Sequence, residues 1–403
     1  MRKYKLRIVW ILVTMLFGVA QAEELPTIKI GIVAPVTGKS SEDMGTSIVG
    51  GAKVFLEDIN QIGGILGRKV ELVIRDDQAK PDRGVAVSKE LVDVEKVVAV
   101  VGFGNSGVAL PSSKIMQDAK IPLIISGATA AAITQSFMPP AYPTSYVFRV
   151  APSDALQPIV MLNDLIDRRK INNIALIHDE SPYGILGKRS VLEELARRKI
   201  KAVDVESFKT GDQDLTVQLQ RAKDSGAQAI VMYCLHVDAA VIVKTAQKLH
   251  MNVPIVGPWT ISHQTFSDNL GSSAEGVRTT VTFIENELNF RTNEFATAYK
   301  RINKVSRIPS AMAAAQTYDA LRLLTLAIYK ANSTDGTKIQ AALENLDNRT
   351  TSTVISRYFK PFSPLDHEAI SLNMILMGEI HNGKVVYAYK EDANENLIVR
   401  TKK

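Results

Sequence analysis

Short apolar runs recur along this chain, each followed by an amphipathic stretch of helix length. IKIGIVAP (28–35), VELVIRDD (70–77), VVAVVG (97–102) and IPLIIS (121–126) read as buried strands. Between them, GTSIVGGAKVFLEDIN places Ile48, Ala52, Phe55, Leu56 and Ile59 on one helical face, and DRGVAVSKELVDVE reads as the next helix. Strands separated by helices build βαβ units, in which a parallel sheet is covered on both faces. The cycle restarts after YVFRV (146–150), with NIALIHD, VDVESF, AIVMYCL and VPIVGP as strands. The fold class expected is α/β, with two Rossmann-like lobes and parallel-sheet cores. A helical pair, RTNEFATAYKRINKV and PSAMAAAQTYDALRLLTLAIYKA, comes next, then DGTKIQAALENL. The tail returns to β character in VISRYFKPF, LNMILMGEI and KVVYAYK, around the turn His381-Asn382-Gly383. No low-complexity linker separates the lobes, which suits several ordered crossings and a hinge.

The first 22 residues stand outside this pattern. Arg2, Lys3, Lys5 and Arg7 precede an apolar run from Ile8 to Ala20, and Ala20-Gln21-Ala22 is a small-x-small cleavage site. These features read as a secretory signal peptide spanning 1–22, too short in its apolar part for a membrane anchor. No cysteine follows to carry a lipid, so no direct membrane anchor is expected. Of 48 basic residues four lie in this leader, and the remaining 44 face 42 acidic ones. The near balance argues against nucleic acid as a partner. Cys234 is the only cysteine, which excludes an intramolecular disulfide, and its apolar surroundings make it a buried small hydrophobe.

The run VVAVVG is followed by Gly104 and Gly107, which with Gly102 fit the spacing GxGxxG. A dinucleotide site also needs an acidic residue at the end of the next strand. That strand ends in Ser126-Gly127-Ala128-Thr129, with no acid, and no cofactor is expected. The chemistry here favours a bare anion instead. Asn105 and Ser106 stand where a helix begins, and Ser126 and Thr129 stand at a strand's carboxyl end, where open α/β sheets bind ligands. Ser106 and Thr129 acting only as helix caps is the competing reading.

Taken in order, IKIGIVAPVTG, INQIGGILGRKVELVIRDDQAKP, VVAVVGFGNSG, IPLIISGAT, YVFRVAPSD and IALIHDESPYGILG resemble the periplasmic solute-binding proteins of branched-chain amino-acid ABC transporters. These are the leucine/isoleucine/valine-binding, type I group. The resemblance implies the type I periplasmic binding protein fold, three hinge crossings, a ligand closed between the lobes, and delivery to an inner-membrane permease. It implies a first lobe of 23–149 with 284–352 and a second of 150–283 with 353–403. It further implies that Ser106, Ala128 and Thr129 bind the ligand head group, that Tyr183 closes over it, and that Met44 and His236 lie at pocket positions. A periplasmic monomer and a small carboxylate ligand follow as expectations.

One position departs from the family pattern. Its amino-acid binders carry an acid after the Gly-Pro that follows the VPIVGP strand, to accept the ligand's ammonium. Here Trp259 follows Pro258, and an indole cannot accept from an ammonium. Either Asp238 or Glu180 substitutes, or the ligand is an aromatic or aliphatic acid without that group. His178-Asp179-Glu180-Ser181 holds the residue types of a hydrolase, but neighbours in sequence do not make a triad, and no GxSxG is present. The histidines show no metal-ligand spacing. A binding protein is therefore expected, not an enzyme, with a ligand-presenting sensor as the alternative.

Overall fold

The computed structural model describes residues 25–38, 40–347, 353–395 and 402. The proposed leader, 1–22, lies outside the described residues. The first half alternates β1 (Ile28–Ala34), α1 (Glu42–Gln61), β2 (Val70–Asp76), α2 (Pro81–Asp93), β3 (Ala99–Gly102), α3 (Ser106–Asp118), β4 (Leu123–Ile125), α4 (Ala132–Gln135) and β5 (Val147–Arg149). Its five strands form a parallel sheet in the order β2-β1-β3-β4-β5. Side chains alternate across that sheet with period two. Ile30, Ile32, Val101, Ile124 and Phe148 enter one core, while Val33, Val100, Leu123, Ile125 and Val147 enter the core on the opposite face.

The second half runs through α5 (Gln157–Leu162), β6 (Ile174–Asp179), α6 (Pro182–Arg197), β7 (Asp204–Phe208), α7 (Thr216–Asp224), β8 (Ala229–Tyr233), α8 (His236–Lys248), β9 (Ile255–Gly257), α9 (Gln264–Leu270) and β10 (Arg278–Val281). The chain then returns to the first lobe with α10 (Phe290–Asn303), α11 (Ala311–Ala331) and α12 (Gly336–Glu344); α10 and α11 pack on α1. It finishes in the second lobe with β11 (Leu376–His381), β12 (Lys384–Tyr387) and α13 (Lys390–Glu395). The second sheet has the order β12-β11-β10-β9-β8-β6-β7, parallel except where β11 pairs with β10 and β12. The turn at Asn382-Gly383 is as the sequence predicts. Both residues have positive φ, 50° and 71°, and His381 pairs with Lys384, the geometry of a two-residue hairpin turn.

Two expectations about the tail change. VISRYFKPF does not form a strand. Nor does the chain join the second lobe at residue 353. Val354, Tyr358, Phe362 and Ala369 share the core of the first lobe, and Phe362 meets Phe148 with ring centroids 5.0 Å apart. His367 stacks on Phe148 at 3.9 Å between centroids and bonds the Val147 carbonyl at 2.8 Å. Arg149, wholly buried at the end of β5, donates through Nε to Glu368 at 2.8 Å. Aromatic packing beside β5 therefore holds this segment, and the chain reaches the second sheet only at Leu376. Cys234 is buried, as expected. Among the described residues no helix is long and apolar enough to cross a membrane.

Candidate functional site

A cavity of about 190 Å³ lies between the lobes, at the carboxyl ends of both sheets. Its first-lobe wall begins where β3 ends. Gly102 has φ +140°, and a Cβ there would stand 2.1 Å from the Val33 carbonyl oxygen. Phe103 follows at φ 58°, so the chain leaves the strand in a sharp bend. A Cβ on Gly104 would press on Met44 Cε at 2.7 Å, and one on Gly107 would stand 3.2 Å from Pro182 Cγ. The glycine spacing is thus explained by close packing rather than by a phosphate.

The bend starts α3 at Ser106 with no side-chain cap on its first N–H groups. Asn105 precedes the helix in an extended conformation, and its amide donates to Ser41 Oγ at 2.8 Å. Ser106 Oγ accepts from the Ala130 N–H at 3.2 Å, which leaves the hydroxyl hydrogen to donate. Thr129 is 1% exposed, and its hydroxyl has no hydrogen-bond partner of good geometry, the group beside it being the buried Asp154 carboxyl, whose pKa burial raises and this hydroxyl pulls back down. Ser106, Thr129, Asn105 and Met44 all line the cavity, as do Gly104, Gly107 and Gly127. An uncapped helix start beside two hydroxyls is a site for an anion.

The second-lobe wall comes from the loops after β6, β7, β8 and β9. At the end of β6 stands Asp179, fully buried yet lining the cavity. Its Oδ1 accepts from the Ser181 N–H at 3.0 Å and from the Ser181 hydroxyl at 2.5 Å. Oδ2 has no well-formed hydrogen bond. Burial pushes this carboxyl above its ordinary pKa, and the Ser181 bonds oppose that only in part. Ser181 also caps α6, accepting from the Gly184 N–H at 3.2 Å, and Pro182 suits the first turn. Tyr183 follows, its ring 5.2 Å from that of Tyr233. Burial raises the Tyr183 hydroxyl well above its usual pKa, so it remains a donor. Trp259 and Thr260 complete the wall. The backbone N–H of Trp259 donates to Gln157 Oε1 at 3.0 Å, and the Thr260 hydroxyl donates to the Cys234 carbonyl at 2.9 Å.

Of the nine residues predicted, Met44, Asn105, Ser106, Thr129, Tyr183 and Trp259 line this cavity. Three do not. Ser126 is fully buried behind it, where its hydroxyl accepts from Thr317 Oγ1 at 2.8 Å and joins the sheet end to α11. Ala128 is buried next to Thr129, its N–H bonded to the Phe103 carbonyl at 2.8 Å. His236 turns instead toward His263, with Nδ1 atoms 3.0 Å apart. The substitute acids also differ from expectation. Asp238 accepts from the Gly211 N–H at 2.9 Å away from the cavity, and Glu180 is exposed, accepting from Ser207 at 3.2 Å. The acid in the cavity is Asp179. Its signal lay in its position, a carboxylate at the carboxyl end of a strand directly before a Ser-Pro helix start. His178 bonds the Asp179 carbonyl at 2.8 Å and does not line the cavity.

The chain and its fold have counterparts. Residues 27–373 match the family model described as periplasmic binding protein. The chain is 26% identical over 356 residues to the Leu/Ile/Val-binding protein homolog 3 of Brucella melitensis, covering 86% of this chain and 93% of that one. It is 28% identical to a leucine-, isoleucine-, valine-, threonine-, and alanine-binding protein of Pseudomonas aeruginosa, covering 79% and 82%. The crystal structure of a type 1 periplasmic binding protein from Bordetella pertussis superposes with a TM-score of 0.79 at 27% identity, covering 90% of this chain and 99% of that one. With two wound lobes, a cavity closed between their strand ends and a family match spanning nearly all the described residues, this chain is a solute-binding protein that belongs to the periplasmic binding protein family.

Proposed function

We propose that this chain, exported by its leader 1–22, captures a small amino acid in the periplasm as a monomer and hands it to an inner-membrane ABC permease. The observation that carries this is the polarity of the cavity. Its first-lobe wall presents hydroxyls and an uncapped helix start, while its second-lobe wall includes Asp179, a buried carboxyl with one oxygen short of a well-formed hydrogen bond. A zwitterion satisfies both ends. Its carboxylate accepts from Ser106, Thr129 and the first N–H groups of α3, and its ammonium donates to Asp179 Oδ2. Each hydrogen bond to a charged group contributes about 1.5–3 kcal/mol. The names of the Brucella and Pseudomonas relatives, which refer to leucine, isoleucine and valine and, in the second, also to threonine and alanine, support the same ligand class.

Capture begins on the first lobe, where the anion-binding groups sit together. Closure then brings Asp179, Tyr183 and Trp259 over the ligand and expels water. The ligand drives closure only because the closed form offers it partners that the open form lacks. Trp259 favours a second reading, in which its apolar face receives an aromatic or aliphatic acid without an ammonium.

A thermal-shift panel on the purified protein separates these readings. Aliphatic amino acids at about a hundred times their dissociation constant should add roughly 2.7 kcal/mol of stability. A response to des-amino acids alone transfers the assignment to the second reading. The double variant Ser106→Ala/Thr129→Ala should abolish the response to either class, and an unchanged response would refute the anion site.

A further inference from the structure

Behind the cavity wall, Asp43 of α1 in the first lobe meets His236 and His263 of the second. One ring nitrogen from each histidine and one carboxylate oxygen lie within 4.8 Å of one another. The two Nδ1 atoms are 3.0 Å apart, and His236 Nε2 is 3.9 Å from Asp43 Oδ2. His236 is 2% and His263 1% exposed. Asp43 is held in place across the gap by the Thr265 N–H, at 3.1 Å from Oδ2.

Whichever proton arrangement the pair takes, His263 Nε2 lacks a partner, and ligation of a metal through Nδ1 would leave it as a buried N–H. In a neutral pair, one Nδ1–H donates to the other Nδ1. If His263 donates, its Nε2 becomes a buried acceptor without a partner; if His236 donates, it becomes a buried donor without one. In the second case the Nε2 lone pair of His236 also faces a carboxylate oxygen. In the first, its Nε2–H is too far from that oxygen, at 3.9 Å, for a hydrogen bond. Both rings are buried, and a neutral imidazole is the form that binds metals.

We propose that Asp43, His236 and His263 form a binding site for a divalent transition-metal ion of the zinc type, which ties the two lobes together next to the ligand cavity. Two imidazoles and one carboxylate match the donor preference of Zn²⁺ and leave a fourth position for water. Two nitrogens on a tetrahedral zinc stand about 3.3 Å apart, since each Zn–N bond is about 2.0–2.1 Å. The observed 3.0 Å needs a few tenths of an ångström of widening, and the Asp43 carboxylate, 3.9 Å from the opposite ring nitrogen of His236, has to swing toward the ion. The site adjoins the cavity through its chain neighbours Met44 and Leu235, and the His263 ring lies 5.2 Å from that of Trp259. An ion here therefore favours the closed form.

The test is a calorimetric titration of the purified chain, without a polyhistidine tag, with ZnCl₂ alone. One saturable equivalent is expected, along with a tetrahedral absorption spectrum when CoCl₂ replaces it. Asp43→Ala and His263→Ala should each weaken Zn²⁺ binding at least about tenfold, because loss even of an outer partner costs that much. Asp43 sits at a helix start outside the core, so its variant is expected to fold, with circular dichroism as the check. In small-angle scattering, Zn²⁺ should reduce the radius of gyration of the native chain and leave Asp43→Ala unchanged. Absence of saturable binding overturns the site, as does unchanged affinity in folded Asp43→Ala. No organic ligand enters either titration, so the outcome is independent of the amino-acid reading.

Discussion

At Asp179, one oxygen and its surroundings carry the proposed amino-acid assignment. Ser181 saturates Oδ1 and leaves Oδ2 buried without a well-formed hydrogen bond, the Leu235 N–H being the group nearest to supply one. A buried carboxylate in that state is costly unless a cation joins it. An ammonium would also draw its raised pKa back down. Asp179→Asn keeps the volume and removes the charge. Calorimetry should show affinity for an amino acid falling by about tenfold or more, the equivalent of a lost charged hydrogen bond. Affinity for the des-amino analogue should stay unchanged or improve. Equal losses for both compounds would mean that Asp179 supports the wall rather than the ammonium.

Among the elements, the starts of α3 and α6 form the mouth of the clamp. Both helices begin at the carboxyl ends of strands, and they face each other across the gap at Gly107 and Pro182. Gly107 does not have positive φ, so a side chain there strains no backbone. Its Cβ would nonetheless stand 3.2 Å from Pro182 Cγ, and a larger side chain would prop the lobes apart. Gly107→Val should therefore leave the melting temperature of the free protein nearly unaltered. It should weaken ligand binding and, in small-angle scattering, reduce the compaction that ligand brings. A large fall in the free protein's stability would instead show that the residue serves packing within one lobe.

For the molecule as a whole, stability depends on how the chain is anchored to the first lobe before its last crossing. Asp319 lies buried in α11 and accepts from the Val354 N–H at 2.6 Å and the Ile355 N–H at 2.9 Å. It thereby fastens the returning chain to the first lobe. Burial pushes its pKa up to about 7, against the pull of these N–H groups and of Arg291. An unfolded aspartate titrates near about 3.9. Between those values the folded chain holds a proton that the unfolded chain releases, so this group's effect on unfolding free energy is a decline as pH rises from about 4 to about 7. Asp319→Asn cannot ionise and removes that decline. Urea denaturation across this range should show the variant gaining stability relative to the native chain as pH rises. An unchanged difference would place the Asp319 pKa near its ordinary value.

The sequence by itself determined the strands, the helices and the two-lobed class, because period-two and period-3.6 patterns arise from local backbone geometry and need no knowledge of distant partners. The hairpin at Asn382-Gly383 and the start of α3 at Ser106 were legible for the same reason. The family resemblance carried Met44, Thr129 and Tyr183 to the cavity. Tertiary structure decided which side chains of each loop face the gap. Ser126 and Thr129 are three residues apart and both carry hydroxyls, yet Thr317 on α11 draws the first into the core. His236 turns toward His263 and Asp43, the latter from the other lobe. Phe148 and Arg149 hold the segment 353–370 beside the first sheet, where its β-like composition suggested a strand of the second. Such choices depend on contacts between residues far apart in the chain, and no local periodicity records them.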